Sequence, residues 1–195
     1  VRSSSEGDSV LIGSSRGMTI HFRLDMNELR PLGRTARGVK SMNLRDGDQL
    51  VSMDVLTSEL VEQLSTLNEN DINANDDLED NLPEGPWVLV VSSFGLGKRV
   101  PVTQFRLQKR AGMGLKAIKF RINNDVLVGL KVLGKGEEIL LVTEKGVIVR
   151  TSADKISQQS RAATGVKLQK LDQGDHLAEV VLVPHEQIDD ENIQI

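Results

Sequence analysis

The 195 residues contain no cysteine and no tyrosine, and with one Trp and four Phe the aromatic share is only 3%. Without Cys there is no disulfide framework, no zinc ribbon and no thiol nucleophile, which suits a reducing compartment. No apolar run approaches the roughly 18 to 20 residues that cross a bilayer, and no charged and then apolar leader opens the chain. The sequence therefore reads as soluble and non-secreted. So few aromatic rings also leave little for base stacking, which disfavours readout of single-stranded nucleic acid. Opening on Val1 and not Met, the text predicts a fragment or a processed chain.

What is present is charge, unevenly spread. The formal net charge is -4, from 24 Lys and Arg against 28 Asp and Glu. Ser58 to Pro86 carries nine acidic residues and no basic one, and His185 to Ile195 carries four acidic residues and no basic one. The remaining body holds the 24 cations against 15 carboxylates and stands at +9. The acidic runs read as solvated linkers, because segments rich in Asn, Asp and Glu bury too little surface to order themselves. The alternative is an anionic segment that competes for a basic surface.

An internal repeat organises the body. Ser9 to Gly17, Trp87 to Gly95 and Glu138 to Gly146 each run from apolar residues into a glycine turn. Arg34, Arg110 and Arg161 each stand four places before Gly38, Gly114 and Gly165. The second and third copies lie 51 residues apart, and the first and second are separated by about 25 more, the size of the acidic insert. This divides the chain into a blade over 1–57, an acidic insert over 58–86, blades over 87–136 and 137–184, and an acidic tail over 185–195.

Each unit reads as four strands. In the third, Glu138 to Thr143 and Val147 to Thr151 flank Glu144-Lys145-Gly146, a turn whose glycine supplies positive φ. Val166 to Leu171 and Leu177 to Val183 follow, matching Val39 to Leu44 and Leu50 to Leu56 in the first unit and Leu115 to Phe120 and Val126 to Leu133 in the second. Four strands in about 40 to 50 residues is the size of a propeller blade, and closed propellers need about 4 to 8. The fold class is all-β, as three four-stranded propeller-like blades of a larger ring. Leu60, Val61, Leu64 and Leu67 also predict a short helix over Ser58 to Asn70.

Enzymatic constellations are scarce. His21, His176 and His185 lie far apart with no metal-ligand spacing, which predicts packing or surface roles. Gly95-Leu-Gly97-Lys98-Arg99 lacks Walker spacing, and no Ser has a nucleophile-elbow context. The informative signal is the recurrence of cations. Arg16 and Lys145 sit in first-hairpin turns, with Lys98 and Arg99 just beyond the turn of the middle unit. Arg34, Arg110 and Arg161 form a register joined by Arg37, Lys109, Lys40, Lys116 and Lys167. Equivalent residues of repeated blades share one rim, so these cations predict a basic stripe. Glycines at 38, 112, 114 and 165 let backbone N–H groups approach an anion, and phosphate of a duplex backbone is the matching partner.

With these motifs in place, the sequence resembles the C-terminal domain of the DNA gyrase A subunit, of the type IIA topoisomerases. The residues that carry the resemblance are Gly95-Leu-Gly97-Lys98-Arg99-Val-Pro, Gln108-Lys109-Arg110-Ala-Gly112-Met-Gly114, Lys145-Gly146-Val-Ile-Val-Arg150-Thr and Ser160-Arg161-Ala-Ala-Thr-Gly165-Val166. The stretch around Trp87 is similar to cyanobacterial or plastid versions. The resemblance implies a β-pinwheel, a six-bladed disc with exchanged strands and a basic rim that wraps duplex DNA, of which this chain would be the last three blades. It adds Arg150 to the DNA-binding set. It implies partners in double-stranded DNA, the breakage-reunion domain of the parent chain and the gyrase B subunit, with no membrane. The site would be cytoplasmic and nucleoid-associated, or the plastid stroma in a plant. The fragment would be non-catalytic and without cofactor, since the parent's ATP and Mg belong to other domains or subunits and the cleaving tyrosine has no counterpart here. The family's gyrase box, Gln-Arg-Arg-Gly-Gly-Lys-Gly, is absent, and Gln108 to Gly114 is a degenerate echo. Remaining alternatives are a protein-interaction propeller of kelch or WD type and the topoisomerase IV equivalent.

Overall fold

The structure, a computed structural model, describes residues 2–62 and 85–183. The first repeat contributes Ser9–Ser14 (β1), Met18–Arg23 (β2) and Leu50–Leu56 (β3). The second contributes Trp87–Ser92 (β4), Leu96–Pro101 (β5), Leu115–Lys116 (β6) and Leu127–Leu133 (β7). The third contributes Glu138–Thr143 (β8), Ile148–Ser152 (β9), Val166–Lys167 (β10) and Leu177–Val183 (β11). Among the described residues they form three antiparallel sheets, ordered β3-β1-β2-β6, β10-β5-β4-β7 and β11-β8-β9. The architecture is all-β and propeller-like, as the repeats predict.

The expected third strands differ. Leu115 to Phe120 and Val166 to Leu171 shrink to two paired residues each, and both are handed to the sheet of the preceding repeat: Leu115 and Lys116 pair with Thr19 and Met18, and Val166 and Lys167 with Gly97 and Leu96. The first of these ladders runs out at the start of β2, where Ala117 N–H donates to Gly17 O of the hairpin turn at 2.7 Å, and Ala117 and Ile118 are buried in the core between the sheets. Val39 to Leu44 forms no strand, and the segment 29–40 is exposed throughout. Of the helix predicted over Ser58 to Asn70, residues 58–62 are helical, and the rest lies outside the described residues.

The central strands are apolar on both faces because they are sandwiched. Val88 and Val90 of β4 join Leu11, Leu56, Phe105 and Ile118 in one core, while Trp87, Leu89 and Val91 join Ile139, Leu141, Ile156 and Val180 in the next. Such strands read as continuous apolar runs without polar alternation. The sheets converge along one side, where β3 packs on β7 and β7 on β11. There Asp54 Oδ2 accepts from Val132 N–H at 2.8 Å, and Ser52 Oγ donates to Leu130 O at 3.0 Å. The opposite edges, formed by the exchanged strands β6 and β10, are the outer rim.

Each first hairpin turn is pinned by an aspartate from the loop before the last strand of its repeat. Asp48 Oδ1 accepts from Ser15 Oγ at 2.8 Å and from Arg16 N–H at 3.0 Å. Asp125 accepts from Ser92 Oγ, Ser93 Oγ and Phe94 N–H at 2.8, 2.9 and 3.1 Å. Asp175 accepts from Lys145 N–H at 3.2 Å and from His176 N–H at 2.9 Å. Burial opposes the charge of Asp48 and Asp175, but the hydrogen bonds outweigh it and hold both carboxyls below their ordinary value. Buried Asp125 gives the cleanest test. Asp125→Ala is expected to cost about 2 kcal/mol in urea unfolding, since it strands two hydroxyls and a backbone donor. A loss below about 0.5 kcal/mol would show that the turn holds itself.

A candidate nucleic-acid interface on the outer rim

The recurring cations are brought together at the junctions where one repeat lends its strand to another. At the first junction the Arg110 guanidinium donates through Nε to Glu28 O at 2.8 Å and through Nη1 to Lys40 O, with the Glu28 carboxylate 3.9 Å away. At the second, Arg161 Nη1 donates to Lys116 O at 2.6 Å, and Arg161 N–H donates to Gln104 Oε1 at 2.7 Å. The register arginines of the second and third repeats thus each clasp the backbone of the register lysine of the repeat before. Arg110 and Arg161 are half-buried in this work, while Lys40 and Lys116 extend into solvent. Lys167 is exposed on β10, the outermost strand of the second sheet.

Arg16, Arg34, Arg37, Lys109 and Lys145 are also exposed, with Arg16 and Lys145 in the aspartate-pinned turns. Arg150 is exposed but ion-paired with Glu138. Two expected members of the set belong elsewhere. The Arg99 side chain is 12% exposed, lies 4.5 Å over the Trp87 ring, donates to Ile156 O at 2.9 Å and pairs with Asp154 at 3.1 Å. It ties the second repeat to the third. Lys98 is fully buried, and its Nζ donates to Ser160 O, Arg161 O and Ala163 O at 2.7, 2.6 and 2.7 Å. It faces the interior because it lies two residues from buried Val100, on the same face of β5, and the equivalent strand positions elsewhere are Ile20 and Val149. Burial, and secondarily the Arg161 charge, push the Lys98 ammonium down to about 7.

Two of the register glycines are explained by contact with the receiving strand. A Cβ on Gly114 would lie 2.6 Å from Thr19 O, and one on Gly165 would lie 2.7 Å from Gly97 O. Gly38 keeps the same left-handed φ, +80° beside +74° and +96°, with nothing within 4 Å of it. His21, with no metal role expected, is buried: Ser9 Oγ lies 2.7 Å from Nε2, and Nδ1 lies 2.6 Å from Phe105 O. Burial lowers its pKa, which favours the neutral ring donating to that carbonyl. His176 stacks edge-on against Phe94 at 5.0 Å, and His185 lies outside the described residues.

Sequence reasoning missed some cations of the same rim. Exposed Arg106 is close enough to Arg161 to lower its pKa, second to burial. Its register mate is Arg30, and Lys119 is mated with Lys170 in the same way; all are exposed. The repeat offset itself is the signal that finds them. Among the described residues no group of three or more metal-ligating side chains occurs.

Fold and rim define a class: a strand-exchanged β-propeller segment whose outer edge is basic. A family model described as the DNA gyrase C-terminal domain, β-propeller, matches residues 8–57, 86–133 and 137–184. The chain belongs to that family. It is 50% identical over 190 residues to the DNA gyrase A subunit of Synechocystis sp., covering 94% of this chain and 22% of the relative. It is 36% identical over 186 residues to the DNA gyrase A subunit of Staphylococcus epidermidis, covering 95% and 18%. The chain thus spans about a fifth of the length of these curated relatives. A solved DNA gyrase A C-terminal domain superposes with a TM-score of 0.67 at 27% identity, over 89% of this chain and 50% of that one. A topoisomerase IV C-terminal domain gives a TM-score of 0.70 at 22% identity, over 90% and 46%, and shows the shared fold.

Proposed function

We propose that the outer rim binds the phosphate backbone of duplex DNA without reading bases, as a non-catalytic wrapping module of a gyrase A protein. The observation that carries this is the placement of Lys40, Lys109, Lys116 and Lys167 in solvent at successive strand exchanges, anchored by Arg110 and Arg161. Phosphate contacts position a protein on the duplex without specifying sequence. Bending 20 to 30 base pairs by 40 to 90° costs about 1 to 6 kcal/mol, which several such contacts offset. In the parent enzyme this module would present bent duplex to the breakage-reunion domain and the B subunit for strand passage. ATP and Mg would act outside this chain.

The test is binding to duplexes of unrelated sequence across a salt series. If six phosphates are neutralised, log K falls against log salt with a slope of about -5. A flat salt response, or affinity that follows base sequence, would overturn the reading.

A further inference from the structure

Lys98 has no carboxylate among the described residues within ion-pair distance; its partners are three carbonyls of one turn. An ammonium has three donors and no acceptor, so the match is one to one. A trans peptide points its N–H opposite its C=O. Drawing Arg161 O and Ala163 O toward Lys98 therefore turns the N–H groups of Ala162, which is exposed, and of Thr164, which is largely buried, to the side of the turn opposite Lys98. Neither N–H has an acceptor among the described residues. The Arg161 guanidinium lies on the same turn, with exposed Arg106 near it. Other bonds brace the turn: Ala163 N–H to Ser160 O at 3.1 Å, Gly165 N–H to Gln159 Oε1 at 3.0 Å and Lys119 N–H to Ala163 O at 3.2 Å.

Outward backbone N–H groups on a tight turn make an anion-binding concavity. We propose that Lys98 is a positioning residue: it presets turn 160–165 so that the N–H groups of Ala162 and Thr164, beside Arg161, grip one backbone phosphate. The inference rests on the duplex-binding reading above and gives the second junction a distinct part in it. At the first junction the equivalent of Lys98 is Ile20, whose Cδ1 approaches Gly112, and the turn there bends differently, with Ala111 at φ +63°. The two junctions are therefore unequal, the second holding phosphate with backbone as well as side chains.

The experiment titrates the whole 15N-labelled chain with a short duplex of mixed sequence and follows the backbone amides. The expected result is that Ala162 and Thr164 shift downfield together, while Ala111 and Gly112 do not. Lys98→Met is expected to abolish those two shifts and to weaken duplex binding about tenfold, the size of one charge-assisted contact. The double variant Lys98→Met/Arg161→Ala is expected to bind no more weakly than Lys98→Met within about twofold, because the two act on one contact. If the wild-type chain shifts no amide and binds no duplex, the duplex-binding reading fails. If other rim amides shift and those of Ala162 and Thr164 stay still, the reading stands and the positioning role of Lys98 is wrong. The wild-type titration decides this even if Lys98→Met does not fold.

Discussion

Gly165→Ala is expected to destabilise the fold by roughly 3 kcal/mol or more, whereas Gly38→Ala, at the matching place of the first repeat, is expected to cost about 1 kcal/mol. Both glycines hold left-handed φ, +96° and +80°, so the conformational penalty is shared. The difference is contact. A methyl on Gly165 meets Gly97 at O, C and N within 2.7 to 3.1 Å, and Gly97 is backbone of the receiving strand β5, which has little room to yield. A methyl on Gly38 meets nothing within 4 Å. Urea unfolding of both variants beside the parent chain checks this. Equal losses would mean that the exchanged strand contributes nothing beyond the turn, and that the close approach of Gly165 to β5 carries no energetic weight.

The second large effect is on binding. Replacing Lys40, Lys109, Lys116 and Lys167 together by Ala is expected to weaken duplex affinity by roughly 10³-fold at 0.1 M salt and to flatten the salt slope by about 3.6, at 0.9 for each phosphate no longer neutralised. All four side chains are exposed, so the substitutions leave the core untouched, and thermal unfolding should change little. Lys109→Ala/Arg110→Ala is less clean than it looks from sequence, because Arg110 also holds Glu28 O and Lys40 O. Fluorescence anisotropy at three or more salt concentrations reads both quantities at once. A quadruple variant that keeps the parent slope would move the interface off the rim.

Much of this was legible from residues. The apolar runs of β1, β4 and β8 with their glycine turns mark the blades, and Arg110 and Arg161 mark the two junctions, because a repeated geometry repeats its chemistry. What the sequence could not show is which sheet receives a strand. Leu115-Lys116 and Val166-Lys167 are too short to carry a period, and their partners are fixed by closure between blades, a tertiary matter. Lys98 was misplaced for another reason. Lysine is almost never fully buried, so Gly97-Lys98-Arg99 reads as a surface cluster. Its alignment with Ile20 and Val149 was the contrary sign, and three carbonyls in the fold explain how the burial is tolerated.

Strand exchange also governs how this architecture can be cut or copied. Excising residues 87–136, one repeat as the sequence spells it, would strip β6 from the first sheet and remove β5, to which β10 is bonded. No single repeat holds a whole sheet, because the second sheet takes β4, β5 and β7 from one repeat and β10 from the next. The passage from β3 to β4 lies between repeats without interrupting a lent strand, and that is where the sequence carries its long acidic insert. Growth by duplication, and any engineered change in blade number, would have to leave each receiving sheet a strand from the repeat that follows it.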